Sequence, residues 1–397
     1  MSKFRLAILF FVILVCVVFY FTFLNTKQSK DLKQYLDIIA TQEKVLSNDV
    51  VTKQEIEILK KCKKSDGCVR DFYRKYALKN GIEKSFRHLA KIQRDYPDFI
   101  SSCHYLTHGI GHAALILNKN DLSKAFSILS TDIFKNIATC GNGYFHGVIE
   151  EYAKKTFGKE ELIKKLSNVC DKKNQLITRG ACLHGVGHAI LIQLDYDLDS
   201  ALFVCSKISD SGKRLMDCNT GVFMEYAQNY NDYYEVKDRR VVFNLCDSLD
   251  KKLQPACYME QSSVFEDHTN ESRNYTRNIG FCKQISDPVN RLACIKLFAI
   301  RAVRISRYEY IKEMCANTST DVEKVFCTAV VASRIANSID IEKNQKIHSQ
   351  VIKDTCGTLN FFYKKTCEYV VYESDGLFYT KPSDLDVFRL AFHRYFF

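Results

Sequence analysis

The sequence predicts an all-α protein: an N-terminal transmembrane helix followed by an α-solenoid of disulfide-stapled αα-hairpins. Three observations carry this expectation. The first is a rhythm of cysteines. Cys170 and Cys182, Cys205 and Cys218, Cys246 and Cys257, Cys282 and Cys294, Cys315 and Cys327, and Cys356 and Cys367 recur as pairs, with ten to twelve residues between partners. The pairs return at the interval of helical-hairpin repeats, each of which buries its apolar face only against its neighbours. The second is the scarcity of helix breakers, with four prolines in 397 residues. The third is an uncharged apolar run from Leu6 to Leu24 behind Lys3 and Arg5, long enough to cross a bilayer core as a helix.

Taken in order, residues 1–26 read as a cytoplasmic stub and signal anchor. Positive charge before the apolar run keeps the N-terminus cytoplasmic and sends the body to the extracytoplasmic side. A cleaved signal peptide is the rival reading, but Tyr20, Phe21, Phe23 and Leu24 are bulky where a small-x-small site is needed. The expected location is therefore the cell membrane, single-pass. Sixteen of the seventeen cysteines lie beyond the run, an even number that suits an oxidising compartment. Zinc ribbons, thioredoxin-type chemistry and covalent c-type haem attachment are excluded, because no Cys-x-x-Cys occurs.

Residues 27–100 read as a helical stalk or first hairpin. Leu32, Tyr35, Leu36 and Ile39 recur at helical spacing. Cys62 and Cys68 flank a turn-like Lys-Lys-Ser-Asp-Gly, and a helix is expected from Val69 to Tyr96, stopped by Pro97. The basic stretch from Lys53 to Arg94 reads as a solvated face beside the membrane. No nucleic-acid partner is expected outside it.

Residues 231–397 read as stapled hairpins with a C-terminal cap from Phe388 to Phe397. Between the cysteines of each pair stand turn formers: Ser209-Asp210-Ser211-Gly212, Asn317-Thr318-Ser319-Thr320, and Ser286-Asp287-Pro288, a cap followed by proline at the first helical position. The first cysteine of a pair therefore ends one helix and the second lies early in the next. Cys103 and Cys140 lack upstream partners and are expected to pair with each other.

The chemistry concentrates in residues 101–230. A word of His-Gly-apolar-x-His/Glu appears at His108-Gly-Ile-Gly-His112, His146-Gly-Val-Ile-Glu150 and His184-Gly-Val-Gly-His188. A fourth copy, Gly221-Val-Phe-Met224-Glu225, has methionine at the first histidine's position. Residues four apart share a helix face, so each pair can hold one metal ion, as paired histidines do in zinc-protease helices. Half of the sixteen glycines lie in the copies of the word and the residues leading into them: Gly109, Gly111, Gly141, Gly143, Gly147, Gly185, Gly187 and Gly221. A helical glycine costs about 1 kcal/mol relative to alanine. The excess requires either backbone-to-backbone packing or room for a ligand. For one copy, hydrogen-bonded core histidines explain the pattern; three copies, always with His or Glu second, favour a metal.

The expected ligands are His108, His112, His146, Glu150, His184 and His188, converging between three helices. His104, Glu151 and Glu225 are the catalytic candidates. This inventory resembles that of hemerythrin-like di-iron centres, rich in histidine with a His-x-x-x-Glu pair. It is also similar to the His-Glu pairs on the stacked helices of HEAT-repeat di-iron hydroxylases. The resemblance covers the ligands alone and implies a metal centre; the cysteine framework belongs to neither family. Imidazole suits iron, zinc and copper alike. The sequence therefore points to a membrane-anchored, extracytoplasmic metal-binding repeat protein, a metalloenzyme activating oxygen or water at a mono- or dinuclear site. The alternatives are a non-enzymatic solenoid that binds a protein on its concave face, and metal or haem capture without turnover.

Overall fold

The computed structural model describes residues 51–62, 66–96, 103–128, 142–154, 156, 158–170, 179–209, 212–233, 240–262, 275–304, 313–338, 345–359, 364, 367 and 368; these are helices and turns, with no strand among them. The chain divides into two units, one of residues 41–298 with 376–397 and one of 299–375 with 1–40. The first holds α1 (Lys53–Lys61), α2 (Asp66–Asn80), α3 (Ile82–Asp95), α4 (Cys103–Leu117), α5 (Leu122–Ser127), α6 (Gly143–Ala153) and α7 (Lys159–Leu166). It continues with α8 (Arg179–Gln193), α9 (Leu198–Ile208), α10 (Gly212–Tyr233), α11 (Arg240–Asp247), α12 (Gln254–Gln261) and α13 (Tyr275–Cys282). The division falls within α14 (Pro288–Arg304), and α15 (Asp321–Ser338) and α16 (Gln345–Cys356) belong to the second unit.

Local sequence sets these boundaries. Thr52 and Glu55 close α1 with a reciprocal capping box. The Asp287 carboxylate accepts from the backbone N–H of Val289 and Asn290 at 2.9 and 3.0 Å, capping α14 with Pro288 at its first position. One reading needs correction. The single helix expected from Val69 to Tyr96 is two, because Gly81 takes a left-handed φ of 85° and ends α2 before α3 begins. A different turn, shared by both, follows α4 and α8: Lys119 and Asn120, then Asp195 and Tyr196, all have positive φ. An aspartate then caps the next helix in each case, Asp121 for α5 and Asp197 for α9. Turn and histidine word thus repeat together.

The cysteine pairs form as their spacing predicts. Cys62–Cys68, Cys170–Cys182, Cys205–Cys218, Cys246–Cys257, Cys282–Cys294, Cys315–Cys327 and Cys356–Cys367 are disulfides. Cys205 lies near the end of α9 and Cys218 in the first two turns of α10; Cys246 and Cys257 join α11 to α12 likewise. Closing a loop of this size restricts the unfolded chain by about 3 kcal/mol per bridge. The Leu6–Leu24 run, the Cys103–Cys140 pairing and the C-terminal cap fall outside the described residues. Among the described residues no helix is long and apolar enough to cross a membrane.

In the first unit, α2, α4, α6, α8 and α10 pack side by side in that order, while α3, α5 and α9 each touch the two helices they connect. Glycine determines how closely the row packs. A Cβ on Gly109 would stand 2.0 Å from the Arg70 carbonyl oxygen of α2, and one on Gly111 2.1 Å from that of Tyr144 on α6. Gly147 faces the His108 carbonyl at 2.1 Å, Gly187 that of Cys218 at 2.1 Å, and Gly221 that of His184 at 1.8 Å. The two glycines of the His-Gly-x-Gly-His word therefore serve opposite neighbours: Gly109 and Gly111 receive α2 and α6, and Gly185 and Gly187 receive α6 and α10. The described motif glycines meet neighbouring backbones or side chains. Among them Gly185 clears the His146 ring, whose Cδ2 would stand 2.8 Å from an added Cβ, and the others clear neighbouring backbone.

This packing separates two substitutions by sign. Gly221→Ala is expected to destabilise the protein by more than about 2 kcal/mol, because a methyl group would force α8 and α10 apart. Gly280→Ala in α13, where none of the described residues lies within 4 Å of the added carbon, is expected to stabilise by up to about 1 kcal/mol. Thermal unfolding of both variants checks this, and a neutral Gly221→Ala would refute the close approach.

Candidate metal centre

The close-packed row fixes where the histidines go. Each i,i+4 pair lies on one face of α4, α6 or α8, and the helices are near enough for rings of different repeats to touch. The His104 and His108 ring centroids are 4.7 Å apart, and His146 lies 4.9 Å from His104 and 5.6 Å from His108. On its other side His146 lies 5.1 Å from both His184 and His188. The row curves enough that His108 and His188, on helices flanking α6, are only 5.4 Å apart. His104, His108, His146 and His188 are buried and His184 is half-buried.

Three overlapping groups each present ligand atoms within 4.8 Å of one another: His104 with His108 and His146; His146 with His184 and His188; and Glu150 with His188 and Glu225. His146 belongs to the first two and His188 to the last two. The structure brings five of the six expected ligands into these groups, and His112 falls outside them. On α4 the trio uses His104 and His108, whereas His112 turns to Glu150, which its Nε2 meets at 2.8 Å. Glu150 therefore reaches two histidines at once, since its other oxygen stands 2.7 Å from His108 Nδ1, off the line of a regular hydrogen bond. Of the catalytic candidates, His104 and Glu225 lie in the cluster. Glu151 stands at its margin, paired with Lys154 and 3.9 Å from Arg74.

The rings differ in how their nitrogens are engaged. His188 Nδ1 donates to Glu225 Oε2 at 2.9 Å, and Tyr196 donates to the second oxygen of Glu225 at 3.0 Å. His146 Nδ1 lies 3.3 Å from His104 Nε2. His184 Nδ1 meets the Thr220 hydroxyl at 2.8 Å. The Nε2 atoms of His108, His146 and His188 are buried and have no hydrogen-bond partner among the described residues. A carboxylate on Nδ1 and a free Nε2 is the arrangement that ligating histidines adopt.

Electrostatics agrees. Burial, reinforced by the surrounding imidazoles, holds His146 well below the usual histidine range, and burial with His188 and His108 nearby does the same to His184. Burial also lowers His108 and outweighs the pull of Glu150. Burial works to raise Glu150, but His108 and His112 overcome it and hold the carboxyl well below its ordinary value. Glu225 is likewise lowered against burial by His188. Burial thus favours the neutral, lone-pair-bearing form of His108, His146 and His184 beside two buried carboxylates. The Arg70 guanidinium lies 3.7 Å from Glu150, and the buried Lys296 is a second cation that acts on His184.

Sequence reasoning missed several of these parts. Arg70, Thr220 and Tyr196 lie outside the repeated word. Tyr196 stands in the positive-φ turn that also follows α4, where Asn120 holds the equivalent place, and its hydroxyl donates to Glu225.

Compared with known proteins, the chain matches no family model, no curated protein and no solved structure.

Glu150→Ala would leave His108 and His112 without their carboxylate and Arg70 without its nearest counter-charge. The expected cost is about 3–5 kcal/mol, as for a buried ion pair stripped of one partner. Glu151→Ala, at the margin, is expected to cost less than about 1 kcal/mol. Denaturant unfolding distinguishes the two, and equal losses would contradict the central position of Glu150.

Proposed function

We propose that this chain is a membrane-anchored, extracytoplasmic helical-repeat protein whose histidine cluster binds a divalent transition metal. The observation that carries the reading is the set of buried, unpartnered Nε2 atoms on His108, His146 and His188. An unsatisfied buried polar atom costs about 1–3 kcal/mol, and native proteins carry few without an ion, a water or a role to explain them. Three in one cluster, each on a ring whose Nδ1 is engaged or faces a polar partner, point to metal ligation.

The anchored, extracytoplasmic setting rests on the apolar run behind Lys3 and Arg5 and on disulfides, which persist in oxidising compartments. The burial of the rings favours the smallest reactants, so oxygen or water is the substrate class for a catalytic metal here. His104 and Glu225 are the nearest groups to serve it as base, with Glu151 further off.

Elemental analysis of the full chain, purified in detergent without a polyhistidine tag, tests the reading. Wild-type protein and His348→Ala are expected to retain metal, and His146→Ala, which removes the ring common to two groups, to lose it. Metal retained in full by His146→Ala, or missing from the wild type after reconstitution, would overturn the proposal.

A further inference from the structure

The fourth copy of the repeated word places methionine where the other three place histidine. Met224 on α10 is half-buried, and its Sδ lies 3.2 Å from Nε2 of His184, the one half-buried ring of the cluster. A methionine at a helix contact is most often a gap-filler. Hydrogen bonding argues for more than that here. The Thr220 hydroxyl donates its only proton to the Asp217 carbonyl at 2.8 Å, so its oxygen must accept from His184 Nδ1. The proton of the neutral His184 ring is then on Nδ1, and Nε2 directs a lone pair at the lone pairs of a thioether. Two acceptors facing each other gain nothing from the contact unless a cation lies between them. A separation of 3.2 Å also suits two ligands of one ion: with bonds of about 2.1 Å to nitrogen and 2.3 Å to sulfur, the ligand atoms stand roughly 3–3.7 Å apart.

Resting on the metal-binding reading above, we infer that Met224 completes the group His146, His184 and His188 as a three-nitrogen, one-sulfur site for copper(I). Thioether sulfur is a soft donor that selects copper(I), whereas zinc is served by imidazole alone. The sulfur also marks where the ion enters, because His184 and Met224 are the half-buried end of a group whose other members, His146 and His188, are buried. The His104, His108 and His146 group has nitrogen donors only, so the two ends of the cluster differ in softness.

The test compares wild type with Met224→Leu, a swap of similar volume that keeps the apolar contact. The full chain in detergent, stripped by chelator, is titrated with copper(I) against a chromophoric copper(I) chelator and separately with zinc(II). Met224→Leu is expected to weaken copper(I) binding by at least about tenfold, as for loss of a supporting group or more, and to leave zinc(II) binding unchanged. Copper K-edge absorption of loaded wild type is expected to show one sulfur scatterer, a readout that does not depend on how the variant folds. Unchanged copper(I) affinity in Met224→Leu, a parallel fall in zinc(II) affinity, or a copper shell of nitrogen alone would overturn the copper assignment while leaving metal binding intact. A wild type that binds neither ion would fail the broader reading as well.

Discussion

The contact on which the rest depends is backbone against backbone across glycine. Helices with ordinary side chains between them pack 8–10 Å apart. At Gly111, Gly147, Gly187 and Gly221 no Cβ can be accommodated, and the carbonyl oxygens of the next helix occupy that space. The approach lets rings from α4, α6 and α8 meet in one cluster instead of facing three separate grooves. Each glycine weakens its own helix by about 1 kcal/mol. The hairpin disulfides, which restrict the unfolded chain, work in the opposite direction. Stapled hairpins and glycine contacts are thus two halves of one design, the first holding each repeat together and the second holding neighbours close.

Burying five imidazoles, two carboxylates and a guanidinium is costly unless every group is satisfied. Most of them are: Glu150 between His108 and His112, Glu225 between His188 and Tyr196, and Arg70 beside Glu150. What is left over is the buried Nε2 of His108, His146 and His188, with His108 Nδ1 and Glu150 Oε1 close to each other but off the line of a hydrogen bond. A hydrophobic core of the same volume would be more stable without an ion. The Tyr196 hydroxyl donates to Glu225, which in turn accepts from His188.

Much of this was legible in the sequence. The cysteine rhythm predicted six hairpin disulfides, the turn residues predicted where the helices cap, and the repeated word predicted which side chains meet. The rest depended on geometry that spacing does not encode. The i,i+4 rule is satisfied equally by His104 with His108 and by His108 with His112, and only the twist of α4 against α6 decides between them. That His108 and His188 meet across α6 follows from the curvature of the row. Thr220 and Met224 act on His184 from α10, a contact invisible until the repeats are stacked. Gly81 inside an otherwise helical stretch was readable as a break, but a single glycine competes there with strong helix-forming neighbours.

The central claim is that glycine-packed helices gather ring nitrogens around a metal ion. Anomalous diffraction from crystals of metal-loaded protein tests it most directly. The account predicts an anomalous peak among His104, His108, His146, His184 and His188, with ring nitrogens about 2.0–2.1 Å from it. Loaded crystals with anomalous peaks only at the protein surface, and the five rings hydrogen-bonded to water or to one another, would contradict it.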